Sequence, residues 1–220
     1  MTTRILITGA NRGIGLALAK QLKQRGDEVI ATARSTTAPL GDLGVRVETG
    51  VDVTDTRSLH ALATRLEGTT LDWLVCNAGL LEADGFPMDE AAIRRQLEVN
   101  ALGPLRTVSA LAARLAKGAK VALITSRMGS LADNTSGGMY GYRMSKAALN
   151  MAGRSLAHDL RPRGIAVALL HPGYVRTDMT RGSGVIEPAE AARGLVARID
   201  ALTLENSGTF WHQNGEELPW

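Results

Sequence analysis

The sequence predicts an α/β fold, a doubly wound parallel sheet with helices on both faces, and three observations lead to this fold class. Short apolar runs alternate with longer segments of helical periodicity along the whole chain. Several apolar runs, such as Leu71–Cys76, do not alternate polar with apolar residues, which is typical of strands buried on both faces. No Pro-rich or Ser-rich linker interrupts the pattern, so we expect one domain over residues 1–220.

The residue types and the spacing of the apolar residues predict the following strands and helices, in chain order. Arg4–Thr8 is an apolar strand, and Ile14–Arg25 is a helix with Leu18 and Leu22 on one face. Further strands are expected at Val29–Ala33, Val45–Val51, Leu71–Cys76, Lys120–Thr125, Ile165–Leu170 and Thr209–Trp211. Further helices are expected at Thr56–Leu66, Asp89–Lys117, Tyr140–Leu160 and Pro188–Leu202.

Composition argues against several classes of function. Hydrophobic residues make up 45% of the chain, which is enough for a sizeable core. The net charge is +3, from 25 basic and 22 acidic residues that are scattered, so we expect a solvated surface and no nucleic-acid partner. No apolar run approaches the ~18 residues of a membrane span, and the N-terminus has no secretory pattern. We therefore expect a cytoplasmic protein without a membrane partner.

Cysteine and histidine usage gives no sign of a metal or a nucleophile. The single cysteine, Cys76, lies in an apolar run and is expected to be a packed core thiol. The four histidines are dispersed without the spacing of metal ligands, so no metal site is expected. No Gly-x-Ser-x-Gly elbow supports hydrolase chemistry.

A glycine-rich segment lies between the first strand and the first helix. In such a turn the glycines permit a tight bend, close approach of backbone to a pyrophosphate and close helix packing, while the helix N-terminus supplies amide donors. The spacing Gly-x-x-x-Gly-x-Gly departs from the commoner Gly-x-Gly-x-x-Gly, and a plain strand–turn–helix junction could also carry three glycines. Its position favours a nucleotide site. The residues expected to contact the nucleotide here are Gly9, Asn11, Arg12, Gly13, Ile14 and Gly15.

The end of the second strand predicts the form of the nucleotide. An acidic residue there would bind the adenosine ribose hydroxyls and repel a 2′-phosphate. Val29–Ala33 is followed instead by Arg34, whose planar donors suit a phosphate, and Arg12 could reach the same group. An exposed loop arginine would also explain Arg34. Because no carboxylate competes with it, we expect NADP(H) rather than NAD as the cofactor.

Tyr142 and Lys146 lie one helical turn apart and can face the same ligand. A tyrosine has a pKa near ~10, and a neighbouring ammonium is expected to lower the pKa of Tyr142 toward the range of general acid catalysis. Hydride addition to a carbonyl carbon leaves an alkoxide, which needs such an acid. Tyr-x-x-x-Lys occurs by chance in many helices, but together with the glycine-rich segment it predicts a nicotinamide-dependent reductase.

These motifs occur in the order and approximate spacing of a known family. They are Thr8-Gly9-x-x-x-Gly13-x-Gly15, Asn77-Ala78-Gly79, Tyr142-x-x-x-Lys146 and Pro172-Gly173. Over essentially its whole length the chain resembles the short-chain dehydrogenase/reductase family. Tyr142–Asn150, His171–Met179 and the closing Gly208–Trp220 are similar to the C-factor-like and sniffer-like carbonyl reductase branch. The resemblance implies a Rossmann-type fold and a homodimer or homotetramer, although intrachain packing would equally explain the small residues on the helices concerned.

The resemblance implies a role for each matched residue. It implies a catalytic tetrad in which Asn100 holds a water of the proton relay and Ser126 binds the substrate carbonyl. Tyr142 would be the acid, and Lys146 would also hold the nicotinamide ribose. The further cofactor contacts that it implies are Asp52 and Val53 at the adenine, Asn77, Ala78 and Gly79 along the cofactor, and Pro172, Gly173, Val175 and Thr177 at the nicotinamide end.

The function predicted from the sequence is NADPH-dependent reduction of a ketone or aldehyde, a small-molecule carbonyl, to its alcohol. Two alternatives stay open. A 3-oxoacyl-thioester reductase would be favoured if Arg127, Arg143, Arg176 and Arg181 formed a docking patch for a carrier protein. The second alternative is a cofactor-binding signalling protein with little turnover. The intact tetrad argues against this alternative.

Overall fold

A seven-stranded parallel sheet organises the chain in a computed structural model that describes residues 2–220. The strands are β1 (Arg4–Thr8), β2 (Glu28–Thr32), β3 (Arg46–Glu48), β4 (Leu71–Cys76), β5 (Leu115–Ile124), β6 (Ala166–His171) and β7 (Phe210–His212). Their order is β3-β2-β1-β4-β5-β6-β7, and every neighbouring pair is parallel. The predicted α/β fold class is confirmed.

Helices cover both faces of the sheet. They are α1 (Gly13–Arg25), α2 (Ala38–Gly41), α3 (Thr56–Arg65), α4 (Glu90–Leu97), α5 (Gly103–Leu111), α6 (Tyr140–Leu160) and α7 (Pro188–Asp200). In β1, Ile5 and Ile7 pack with α1 and α7, whereas Leu6 packs with α3, α5 and α6. Each central strand therefore needs apolar side chains on both faces, which explains its unbroken apolar sequence.

The topology creates a cleft at one edge of the sheet. Strand order reverses at β1, which pairs with β2 on one side and with β4 on the other. In open parallel sheets, ligands bind outside the carboxyl ends of the strands at such a switch point. Thr8 ends β1 and Asn77 follows β4, so the glycine-rich segment and the Asn77–Gly79 motif lie side by side there.

The predicted helix Asp89–Lys117 is wrong at its C-terminal end. The structure divides it into α4, a π-helical turn at Glu98–Leu102, α5 and a 3₁₀ turn, after which β5 begins at Leu115. Leu115 is buried and pairs with Leu71 of β4, with a register shift before the next pair. Apolar periodicity over small residues does not separate a helix end from a buried strand start, and tertiary pairing decides here.

Two smaller differences lie at the sheet edge. The strand predicted at Val45–Val51 is reduced to β3, and α2, which the sequence pattern did not predict, lies in the loop before it. Gly50 has a φ of +68°, a left-handed conformation that does not continue a strand.

Within residues 2–220 no helix is long and apolar enough to cross a membrane.

Candidate active site

A cavity of about 570 Å³ opens at the carboxyl ends of β1, β2 and β4 and extends to the first turns of α6. Most of the residues that the sequence predicted for cofactor binding line it. They are Gly9, Asn11, Arg12, Gly13, Ile14, Arg34, Asp52, Val53, Asn77, Ala78, Gly79, Tyr142, Lys146, Pro172 and Thr177. The fold thus brings together segments separated by more than a hundred residues.

A second cavity of about 540 Å³ adjoins the first and contains the other predicted loop residues. Ser126, Gly173 and Val175 line it. Tyr142, Pro172 and Thr177 line both cavities, so Tyr142 lies where the two meet. One space can hold an elongated ligand and the other a second molecule, with the phenol between them.

The glycine-rich segment has the geometry that a phosphate requires. Gly9 and Gly13 adopt left-handed φ values of +65° and +55°, and a Cβ on Gly9 would lie 2.9 Å from the Cα of Ala78. Helix α1 begins after Arg12 without a side-chain N-cap, so its first amides have no side-chain acceptor. These amides can bind an anion in the cavity.

Gly15 does not line either cavity, although the sequence predicted it as a cofactor contact. A Cβ there would collide with the carbonyl oxygen of Gly9 and with the side chain of Asn77. The Asn77 amide donates to the carbonyl oxygens of Thr8 and Gly9, each at 3.0 Å. Gly15 therefore allows α1 to pack against this hydrogen-bonded junction, which is a structural role.

Arg34 and Asp52 lie near each other at the far end of the first cavity. The pKa of the Asp52 carboxyl is lowered, chiefly by a hydrogen bond from the Thr54 amide and in smaller part by the charge of Arg34. Arg12 instead forms an exposed ion pair with Asp178, at 3.1 Å. Its participation in phosphate binding beside Arg34 stays a prediction.

Tyr142 and Lys146 project from one face of α6 and are both buried. The Lys146 ammonium donates to the carbonyl oxygen of Ile124 at 2.9 Å and lies 5.7 Å from the centre of the Tyr142 ring. Burial lowers the pKa of Lys146 to about 8. Burial also raises the pKa of Tyr142, and a hydrogen bond with Ser126 offsets part of that rise.

The expectation that Lys146 lowers the pKa of Tyr142 is wrong for this structure. Desolvation disfavours the charged form of both groups, and for the tyrosine it outweighs the one opposing influence, which comes from Ser126. A phenol with a raised pKa is protonated at neutral pH. Tyr142 therefore carries its proton at neutral pH, as an ordinary phenol does, and burial makes that proton harder to release.

Asn100 is completely buried in the π-helical turn and lines neither cavity. Its side chain accepts a hydrogen bond from the Leu80 amide at 2.7 Å and donates to the Leu80 carbonyl oxygen and to Ser145. It thus connects the cavity wall at Leu80 with the helix that carries Tyr142. The water-holding role implied by the family resemblance stays a prediction.

Sequence reasoning gave no role to several residues that line the second cavity. His171, the last residue of β6, is one of them, and burial lowers its pKa to about 3, so the imidazole is neutral at physiological pH. Asp133, Tyr174 and Met179 also line this cavity. The adjacent Pro172-Gly173 motif is the one sequence feature that could have indicated His171 as a site residue. A single histidine at the end of an apolar strand does not by itself predict a function.

The arginines that would support a carrier-protein patch are partly neutralised. Arg127 contacts Asp133 at 2.9 Å and Glu216 at 2.7 Å, and Arg176 contacts Glu187 at 2.6 Å. Arg143 lines the second cavity and has no carboxylate within 4.0 Å in the described part of the chain. These contacts leave less free positive surface than the sequence suggested.

Other chemistries have little support in the described residues. Between residues 2 and 220 no group of three or more His, Cys, Asp or Glu side chains could hold a metal ion. Cys76 is buried, and burial raises the pKa of its thiol to about 12, so it is the packed core thiol that the sequence predicted.

Comparison with known families settles the class of protein. The short chain dehydrogenase family model matches residues 3–185. The chain belongs to the short-chain dehydrogenase family. The resemblance that the motifs predicted is therefore confirmed, and the oxidoreductase class with it.

Individual relatives of this short-chain dehydrogenase carry more specific names. The chain is 48% identical to 1-hydroxy-2-glutathionyl-2-methyl-3-butene dehydrogenase of a Rhodococcus strain, over 98% of this chain and 99% of the relative. It is 48% identical to C-signal of Myxococcus xanthus, over 74% of this chain and 100% of that protein. The NADPH-bound carbonyl reductase from chicken fatty liver superimposes with a TM-score of 0.92 at 29% identity, covering 100% and 99% of the two chains.

Proposed function

We propose that this short-chain dehydrogenase is an NADPH-dependent carbonyl reductase that converts a ketone or aldehyde to its alcohol. One observation carries the proposal: Tyr142 lies at the junction of two cavities, one lined by the glycine-rich turn and the other by Ser126. Hydride transfer requires a carbonyl carbon beside the nicotinamide and a proton donor beside the carbonyl oxygen. The junction supplies the proton donor, and the first cavity would place the nicotinamide next to it.

The first cavity fits a dinucleotide. Uncapped amides of α1 and the left-handed glycines suit the pyrophosphate, and the Asp52 carboxylate is available to the adenine. Lys146, with Tyr142, lines the opposite end, where the nicotinamide ribose would lie. When bound, the cofactor supplies the hydride.

Arg34 supports NADP(H) over NAD(H). It lines the cavity directly after β2, the position where an acidic residue would bind ribose hydroxyls. A guanidinium there offers paired donors to a 2′-phosphate. The NADPH bound in the chicken carbonyl reductase agrees with this choice. We expect Arg34→Ser to raise the KM for NADPH at least tenfold while changing the KM for NADH less than threefold.

The residues of the second cavity would carry the proton chemistry. Ser126 would hold the carbonyl oxygen, and Tyr142 would donate its proton to that oxygen as negative charge develops. Tyr142 is protonated at neutral pH, which is the state that reduction requires. Lys146 would orient the ribose and stabilise the phenolate after transfer, and Asn100 would hold α6 against Leu80 while the proton is replaced.

The direct test is NADPH consumption over a panel of ketones, quinones, aldehydes and 3-oxoacyl thioesters, with Tyr142→Phe as the matched blank. We expect turnover of at least one carbonyl class by the native protein and a loss of at least a hundredfold in the variant. Equal rates for both proteins would refute the proposal. Preference for 3-oxoacyl thioesters would instead support the thioester alternative, which the paired Arg127 and Arg176 disfavour.

A signalling role is the second candidate, and the 48% identity to C-signal favours it. In that case nucleotide binding, rather than turnover, would produce the effect. Tyr142→Phe separates the two functions, because it removes the acid and leaves the glycine-rich turn intact. A biological effect that persists in Tyr142→Phe but disappears in Arg34→Ser would favour signalling.

Self-association is a further expectation from the family. Helix α6 exposes Met144 at 49% and Met151 at 70%, a partly apolar face away from the core. We propose that this face pairs two copies, and light scattering of the purified protein would give the mass of the assembly.

A further inference from the structure

Arg143 places a positive charge in the cavity that would hold the substrate. It follows Tyr142 on α6, and both residues line the cavity of about 540 Å³ that also contains Ser126. Consecutive residues of a helix point about 100° apart, so Arg143 and Tyr142 reach different parts of that cavity. A ligand whose carbonyl lies at Tyr142 can extend through the same cavity to the part that Arg143 lines.

The guanidinium of Arg143 is held in position by the chain segment before α6. Its Nε donates to the carbonyl oxygen of Gly138 at 3.2 Å, and one Nη donates to the hydroxyl of Ser136 at 2.9 Å. A guanidinium has five N–H donors, so three are left without an acceptor among residues 2–220. A fixed orientation with free donors is the arrangement that binds a carboxylate through two parallel hydrogen bonds.

Charges around the cavity leave Arg143 uncompensated. The one carboxylate that lines the cavity, Asp133, binds Arg127, which also contacts Glu216. Asp84, before α6, does not line this cavity and forms no ion pair with Arg143 within the described residues: one of its carboxylate oxygens accepts from the Gly141 amide at 2.7 Å, and the other is buried without a partner. His171 is neutral because burial lowers its pKa to about 3. Within the described chain, the cavity therefore has a cation with no anion paired to it.

We propose that Arg143 binds a carboxylate of the substrate and that the preferred substrates are carbonyl compounds carrying a carboxylate remote from the reacting carbon. This inference rests on the proposed reductase function and specifies its substrate class. The carboxylate accepts the free N–H donors of Arg143 while the carbonyl oxygen contacts Ser126 and Tyr142. Arg143 acts as a specificity-determining residue and takes no part in proton transfer.

A matched pair of aldehydes tests the inference. 4-Formylbenzoate and methyl 4-formylbenzoate have the same reacting group and differ in the negative charge. The native enzyme is expected to show a kcat/KM at least tenfold higher for the carboxylate, which corresponds to about 1.4 kcal/mol. In Arg143→Met this preference falls to about unity, mainly through the KM, and Arg143→Lys retains part of it. Arg193→Met, which removes an exposed charge on α7, is the control and keeps the full preference.

Binding without turnover separates this inference from the reductase proposal. Calorimetry measures the affinity of 4-(hydroxymethyl)benzoate for the protein with NADPH, a complex that cannot react, and we expect a loss of at least tenfold in Arg143→Met and none in Arg193→Met. Equal affinity in the native protein and Arg143→Met would overturn the carboxylate site, and so would a native preference for the ester. Failure of the whole carbonyl panel, with both aldehydes included, overturns the reductase function, while calorimetry still decides on the site.

Discussion

At the level of single residues, burial shifts the pKa values of the two titratable side chains on α6. Tyr142 and Lys146 are identifiable from their spacing, but their pKa shifts depend on what surrounds them. Both groups are buried on α6, so the phenol holds its proton more firmly and the ammonium less firmly than in water. Sequence spacing predicted an attraction between the two charges and could not reveal the desolvation that outweighs it.

Replacing the buried ammonium should stabilise the protein at neutral pH. The fall in the pKa of Lys146 from 10.5 to about 8 corresponds to a penalty of about 3 kcal/mol for the charged form, and loss of its hydrogen bond to Ile124 offsets about 1 kcal/mol. Lys146→Met is therefore expected to raise the free energy of unfolding at pH 7 by about 2 kcal/mol in urea titrations, while abolishing turnover.

The pH dependence of this difference checks its cause. Between pH 8 and 10.5 the unfolded chain holds the Lys146 proton more than the folded chain does, so the native protein gains stability from this group as the pH rises. The advantage of Lys146→Met should shrink across this window. A variant less stable than the native protein at pH 7, or a difference independent of pH, would contradict desolvation as the cause.

At the scale of elements, α6 and the 3₁₀ turn at Arg127–Gly129 form the candidate site together. The bounds of α6, Tyr140–Leu160, were predicted correctly, since a long periodic segment is a strong signal. The turn follows Ser126 and packs directly on α6, because Gly129 has no side chain. The packing of Ser126 and Gly129 against α6 could not be predicted from the sequence, because this contact arises only when β5 lies beside α6.

A methyl group at Gly129 should separate Ser126 from Tyr142. A Cβ there would lie 2.7 Å from the backbone carbon of Lys146, so the turn must shift away from α6. We expect Gly129→Ala to lower kcat/KM at least tenfold and the free energy of unfolding by about 1–3 kcal/mol. Gly41→Ala is the control, since nothing lies within 4 Å of its Cβ, and it should be neutral or slightly stabilising. Equal behaviour of the two variants would show that the close packing does not matter.

At the scale of the whole molecule, parallel strand order assembles the candidate site from distant segments. The glycine-rich turn, Asn77, Ser126 and Pro172 all follow strands, and parallel strands bring their carboxyl ends to one edge. The sequence predicted the fold class, and most of the site residues that it predicted line the two cavities because the motifs lie at strand ends. It could not predict the β5 start or the burial of Asn100, since both depend on pairing across the sheet.

Ligand binding at that edge should stabilise the entire domain. At 100 times its Kd, a ligand that binds only the folded state contributes about 2.7 kcal/mol. For a domain of this size we expect NADP⁺ to raise the melting temperature by about 5–10 °C in calorimetry. Arg34→Ser should lose most of the shift with NADP⁺ and keep the shift with NAD⁺. Absence of any shift at millimolar NADP⁺ would argue against the dinucleotide cavity.

Isotope transfer shows whether hydride passes from NADPH to the carbonyl carbon and whether Tyr142 assists it. NADPH carrying deuterium at the transferred position of the nicotinamide is incubated with 4-formylbenzoate or another accepted carbonyl, and the alcohol is analysed by mass spectrometry and NMR. We expect one deuterium on the carbinol carbon with the native protein, and at least a hundredfold less labelled product with Tyr142→Phe. Unlabelled alcohol, or labelled alcohol formed equally fast by the variant, would contradict hydride reduction assisted by Tyr142.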